Sequence, residues 1–98
     1  IGNSSSWLIE VPSFKKGTID IGNRQKGRLK CSSVIECNCN RNDILIAINK
    51  LYSDDFKKNL LCTKNPYGNG GASNKIIDIV KKIKLEKLIN KEFHDIDF

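Results

Sequence analysis

Apolar positions recur along this chain in short blocks, and the spacing changes from block to block across glycine- and asparagine-rich breaks. The first block, about Ser5 to Phe14, sets Leu8 and Val11 three apart, which predicts a helix with those residues on its buried side. Pro12 removes one intrahelical bond there and should bend or shorten the element. Lys15-Lys16-Gly17 ends it, because glycine is the usual residue past a helix C-terminus. Thr18-Ile19-Asp20-Ile21 is mostly β-branched and is closed by Gly22, which predicts a short strand. Ser33 to Cys37 predicts a second strand. Between them, Asn23 to Lys30 reads as a basic loop with a flexible glycine in it.

The second half reads as helices. Asn38 to Asn42 is a polar turn that should cap a helix from about Asp43 to Tyr52, with Ile44, Leu45, Ile48, Leu51 and Tyr52 forming one apolar face. Ser53 can cap another, Asp54 to about Leu61, which has two acids in its first turn and Phe56 and Leu60 one turn apart. Lys64 to Gly71 is the strongest break. A helix follows from about Ala72 to Lys84, extending toward Asn90, with Ile76, Ile77, Val80 and Ile83 inward and Asp78, Lys81 and Lys82 outward. Helix, strand, loop and strand in this order fit the edge of a Rossmann-like α/β unit, with short parallel strands flanked by helices. Residues 1–90 form that unit. Residues 91–98 are a charged tail with two isolated Phe residues, either frayed or docked on a further domain.

Composition narrows the partners. The chain has 98 residues, 39% hydrophobic and 29% charged, with 17 Lys and Arg against 11 Asp and Glu. This is one soluble domain at most, and a small one buries a smaller share of its surface. It starts at Ile1 and holds no Met, so it reads as a piece of something longer. A net charge of +6 suits anionic partners without choosing among them. The lysines are scattered along apparent helices, no nucleic-acid module signature is present, and solvated faces explain most of the charge. No run is long enough to span a membrane and no secretory leader is visible, so a cytoplasmic location is expected. Cys37-Asn-Cys39 is C-x-C rather than a zinc spacing, and the lone His94 is distant, so no metal site is expected and the four thiols should be reduced.

The candidate chemistry lies in Gly2 to Glu10. Ser4, Ser5 and Ser6 precede an apolar run, as residues at a helix N-cap do. Free N–H groups and hydroxyls on an open approach suit a phosphate. Glu10 lies four residues after Ser6, one helical turn further in, where a carboxylate could accept both hydroxyls of a ribose. The plain alternative is a capped helix with a solvated Glu. Arg24 follows the first strand directly, where open α/β sheets bind ligands, and a guanidinium there can hold a phosphate through two hydrogen bonds. For Arg28 and Lys30 a solvated loop is the better reading. The glycine-rich Tyr67 to Gly71 lacks a P-loop ending and does not follow a strand, so alone it is a weak phosphate signal.

Three spaced motifs together resemble one family. They are Gly2-Asn3-Ser4-Ser5-Ser6 with Glu10-Val11-Pro12-Ser13-Phe14, then Gly22-Asn23-Arg24-Gln25-Lys26-Gly27-Arg28, then Asn65-Pro66-Tyr67-Gly68-Asn69-Gly70-Gly71-Ala72-Ser73. In order and spacing, from Ile1 to about Lys82, they resemble the C-terminal part of bacterial UDP-N-acetylglucosamine 2-epimerases. The middle motif is similar to the hydrolysing branch, which releases UDP and a free 2-epimerised sugar such as N-acetylmannosamine for sialic or legionaminic acid synthesis.

The resemblance implies the C-terminal part of a Rossmann-like, UDP-binding domain within the two-domain glycosyltransferase-B architecture. It implies a diphosphate held at Ser4 and Ser5 with Ser6 adjacent, ribose hydroxyls held by Glu10, and Arg24 facing the diphosphate. It also implies a UDP-sugar substrate, no cofactor, an N-terminal domain of the same protein as partner, and a parent that in this family is often dimeric. The proton chemistry of the family sits upstream, so no catalytic residue is expected here and the segment alone should not turn over. Trp7 stands where the hydrolysing branch usually has Gly, and Asn23 and Asn69 replace acids. Two other readings remain at this stage: a glycosyltransferase nucleotide-sugar domain, and a basic module that binds polyanions with steep salt dependence.

Overall fold

The computed structural model describes residues 1–84. A short helix, α1 (Ser6–Ile9), runs into a 3₁₀ turn, Val11–Phe14; two strands follow, β1 (Thr18–Ile21) and β2 (Val34–Cys37). Three helices complete the order: α2 (Arg41–Leu51), α3 (Asp54–Leu61) and α4 (Ala72–Lys82). The architecture is α/β, as the sequence predicts, and both strands fall where expected to within a residue.

β1 and β2 pair in parallel, with Thr18 opposite Val34 and Ile21 opposite Cys37. Parallel neighbours need a long crossover, usually a helix; here the basic loop from Gly22 to Ser33 makes the connection as a series of turns. On the far side of β1, Gly2 joins through a parallel bridge to Asp20, donating to the Ile19 carbonyl at 3.0 Å and accepting from Ile21 at 2.9 Å. β1 is therefore paired on both edges, and its alternation sends Ile19 and Ile21 to one face and Thr18 and Asp20 to the other.

The main core lies on the first face, where Ile19, Ile35, Ala47 and Phe56 are buried together and Ile48, Leu51 and Leu60 pack against them. The stripe of α2 that meets the strands is Ile44, Ala47, Ile48 and Leu51, at helical spacing, with Ala47 only 3% exposed at its centre. Leu45 and Tyr52, expected on that face, are instead 47% and 67% exposed. A helix laid on two strands covers one stripe, and positions to either side of it remain in water. Both caps hold. Asn40 accepts the Asp43 N–H at 2.9 Å, and Ser53 accepts that of Phe56 at 3.3 Å. The Asp43 carboxyl in turn accepts from Asn38 and Asn40, which holds it below its usual range.

The first element is shortened, as Pro12 leads one to expect, but its buried face and its end differ from the expected ones. The helix over Ser5 to Phe14 is broken into α1 and the 3₁₀ turn at Pro12, and Leu8 and Pro12 rather than Val11 are its buried residues. Lys15, with φ of 53°, takes the left-handed position at its end. Gly17 is needed for another reason: a Cβ there would lie 2.3 Å from Leu51 Cδ1 and 2.8 Å from Phe56 Cε1.

α4 forms where predicted, but its inward face is not inward. Ile76, Ile77, Val80 and Ile83 are 59%, 48%, 63% and 41% exposed, and Ile79 beside them is 59% exposed. Amphipathic spacing identifies a face that wants cover, and nothing among the described residues supplies it. The expected extension to Asn90 and the boundary before the tail lie outside the described residues. Among those described, no helix is long and apolar enough to cross a membrane.

Candidate functional site

The site is built on the carboxyl end of β1. The chain runs on from Ile21 into Gly22, whose φ of 82° suits glycine and turns it toward Arg24. Because Gly2 pairs in parallel with β1, Asn3 leaves the sheet at the same end. The two departing segments are joined. Gln25, 3% exposed, donates from Nε2 to the Asn3 carbonyl at 2.8 Å. Arg24, its exposed neighbour, reaches from Nη1 to Asn3 Oδ1 at 3.4 Å. Arg24 and Asn3, 21 residues apart in sequence, thus meet at one corner, and the serines follow Asn3 directly in the chain.

Neither Asn3 nor Gln25 carries a role that residue type and position alone predict. The available signal was that both lie inside the motifs that carry the family resemblance, whereas their bond to one another is tertiary.

The serines do not cap in the expected way. Ser5 occupies the N-cap position with helical dihedrals and no side-chain cap bond. Ser4 Oγ lies 3.1 Å from Ser6 Oγ and accepts the Ser6 N–H at 3.4 Å. The N–H groups of Ser4 and Ser5 have no acceptor among the described residues. A helix of four residues carries little macrodipole, so what this end of the chain offers is local N–H groups and hydroxyls rather than aligned peptide dipoles.

Glu10 donates its N–H to the Ser6 carbonyl at 2.9 Å, which keeps it one turn beyond the serines, and its side chain is exposed. Neither Glu10 nor Arg24 has an ion-pair partner among the described residues. Trp7 folds back over Gly2: a Cβ on Gly2 would lie 2.8 Å from Trp7 Nε1.

Beneath this corner is a buried carboxylate. Asp20 is 1% exposed, and neither of its oxygens has a hydrogen-bond partner among the described residues. Burial pushes its pKa above the ordinary 3.8; Lys30 opposes the shift and Glu36 adds to it. Lys30 is itself paired with Glu36 at 2.6 Å. Raising a carboxyl's folded pKa favours its protonated form, so the cost is absent below pH 3.8 and enters as pH rises through the raised folded value. Asp20→Asn should therefore stabilise the fold at pH 7, by on the order of 1 kcal/mol, and this gain should shrink toward pH 4. Urea unfolding of both proteins at the two pH values checks this, and a gain independent of pH would refute it.

A cleft of about 670 Å³ lies elsewhere, between the 3₁₀ turn and the glycine-rich loop, and is lined by Ser13, Lys15, Lys64 and Asn65 among others. None of Ser4, Ser5, Ser6, Glu10 and Arg24 lines it. All four cysteines are free thiols, and buried Cys31 donates to the Lys64 carbonyl at 3.1 Å. Among the described residues, no three His, Cys, Asp or Glu side chains gather as a metal site would need.

A sequence-family model described as UDP-N-acetylglucosamine 2-epimerase matches residues 1–81. Among curated proteins, the chain is 43% identical over 97 residues to the polysialic acid biosynthesis protein P7 of Escherichia coli, covering 98% of this chain and 25% of that protein. It is 46% identical over 97 residues to a GDP/UDP-N,N'-diacetylbacillosamine 2-epimerase (hydrolyzing) of Campylobacter jejuni, with the same shares, 98% and 25%. A UDP-N,N'-diacetylbacillosamine 2-epimerase (hydrolyzing) of Legionella pneumophila is 30% identical over 92 residues, which are 93% of this chain and 23% of that protein. The chain spans about a quarter of the length of these relatives.

Proposed function

The chain belongs to the UDP-N-acetylglucosamine 2-epimerase family, and from that premise we propose that it supplies the diphosphate- and ribose-binding part of a hydrolysing UDP-sugar 2-epimerase. The observation that supports the reading is the double hold of Arg24 and Gln25 on Asn3, which ties the Arg24 loop to the segment leading into the three serines at the carboxyl end of β1. Ser4 and Ser5, with Ser6 adjacent, donate to the diphosphate. Arg24 faces it, and Glu10 accepts the ribose hydroxyls. As UDP departs, charge builds on the diphosphate, and donors already aimed at it stabilise that charge more than they stabilise the bound substrate.

The proton taken from and returned to C2 of the sugar belongs to groups outside this segment, so the segment alone binds and does not turn over. Its partner is the rest of the same cytoplasmic polypeptide, in a two-domain glycosyltransferase-B arrangement. The uncovered apolar face of α4 is a surface that this partner would bury. The reaction is tested with the full-length protein and UDP-N-acetylglucosamine in D₂O. The expected result is UDP and free 2-epimerised sugar in equal amounts, with deuterium at C2. Transfer of the sugar to an acceptor without C2 exchange would replace this reading with a glycosyltransferase.

A further inference from the structure

The break from Lys64 to Gly71 lines no part of the corner described above, yet it is tied to both sides of it. Asn65 Nδ2 donates to the Ile9 carbonyl and to Ser13 Oγ, each at 2.7 Å, across 56 and 52 residues of sequence. Its Oδ1 accepts the Tyr67 N–H at 3.0 Å. Tyr67 Oη then donates to the Leu29 carbonyl at 2.8 Å, at the far end of the loop that carries Arg24.

The bond to Ile9 fills a gap that the sequence creates. In a continuous helix the Ile9 carbonyl would accept from Ser13 or, in a tighter turn, from residue 12. Residue 12 is proline and has no N–H, while the Ser13 N–H goes to the Glu10 carbonyl at 3.0 Å. The helix therefore ends at Ile9 with an orphaned acceptor, and Glu10 sits on that broken end as its C-cap. An asparagine amide has the two donors needed for Ile9 and Ser13, and its carbonyl takes the Tyr67 N–H.

We infer that Asn65 is a positioning residue for Glu10, holding the Ile9 carbonyl before it and the Ser13 hydroxyl after it so that its carboxylate meets a ribose. Tyr67 braces the Arg24 loop in the same way. This rests on the reading of Glu10 and Arg24 as nucleotide ligands. Because Asn65 acts through Glu10, its effect must vanish when Glu10 is gone, which a merely structural role would not require.

The test is a double-mutant cycle on the full-length protein, read as UDP and pyrophosphate affinity by calorimetry. Asn65→Asp keeps the shape of the side chain and removes its donors. It should weaken UDP binding by roughly 3- to 10-fold, leave pyrophosphate unchanged, and change UDP binding less than about 2-fold in a Glu10→Ala background. Equal losses in both backgrounds, an equal loss for pyrophosphate, or no loss of UDP affinity would overturn the inference. An unchanged UDP affinity on Glu10→Ala alone would overturn the ribose reading itself, and the inference with it. Tyr67→Phe, which deletes one oxygen, run against Arg24→Ala supplies a second cycle if Asn65→Asp does not fold; additive effects there would count against the brace.

Discussion

Gly17→Ala should destabilise the fold by about 1–3 kcal/mol, a large effect for the addition of one methyl group. Two terms compete. Alanine restricts the unfolded chain, which by itself would stabilise by about 0.4–1 kcal/mol where the native dihedrals allow it. Gly17 does not have a positive φ, so the backbone raises no objection. Space does. The new Cβ would be 2.3 Å from Leu51 Cδ1 and 2.8 Å from Phe56 Cε1, and Phe56 is 9% exposed within the main core. Leu51 can rotate away, but Phe56 is wedged against Ile19, Ile35 and Ala47, and moving it shifts α3 from the sheet. Denaturant midpoints of the two proteins measure the difference, and an unchanged or higher midpoint would contradict the packing described. Pairing Gly17→Ala with Leu51→Ala should recover part of the loss, since the nearer obstacle is then absent.

What the sequence makes legible here is what is local. The β-branched run at Thr18–Ile21, the polar turn Asn38 to Asn42 that holds the cap at Asn40, and the cap at Ser53 each act through neighbours a few residues away, and each is found within two residues of where composition places it. Gly17 looks like a helix terminator in sequence, but its constraint comes from Leu51 and Phe56, which no local pattern announces. The face of α4 is apolar, as the spacing predicts, yet exposed among the described residues, because periodicity reports a need for cover and not the presence of it. Ser4, Ser5, Ser6, Glu10 and Arg24 could be marked from residue type and position. The bonds from Gln25 and Arg24 to Asn3, which bring two of the segments together, could not.

The second large effect concerns Arg24. Arg24→Ala should weaken UDP binding by about 10-fold or more, the lower part of the range for a hydrogen bond to a charged group, because the guanidinium is exposed and partly screened. Its only described bond is the 3.4 Å contact with Asn3, while buried Gln25 keeps that segment in place. Stability should therefore change little, and the loss should appear in binding alone. Glu10→Ala should differ in kind: a loss for UDP and none for pyrophosphate, since a carboxylate repels phosphate and rewards only the ribose. If both variants lowered affinity for every anion alike, the two residues would not have separate ligands.

The most direct measurement is calorimetric titration of the chain with UDP, beside UMP and inorganic phosphate, at two salt concentrations. UDP should bind more tightly than phosphate at both concentrations, and this preference should be lost in Glu10→Ala and in Arg24→Ala. An equal response to all three anions, falling steeply with salt and untouched by Glu10→Ala, would leave a basic surface and contradict the nucleotide site.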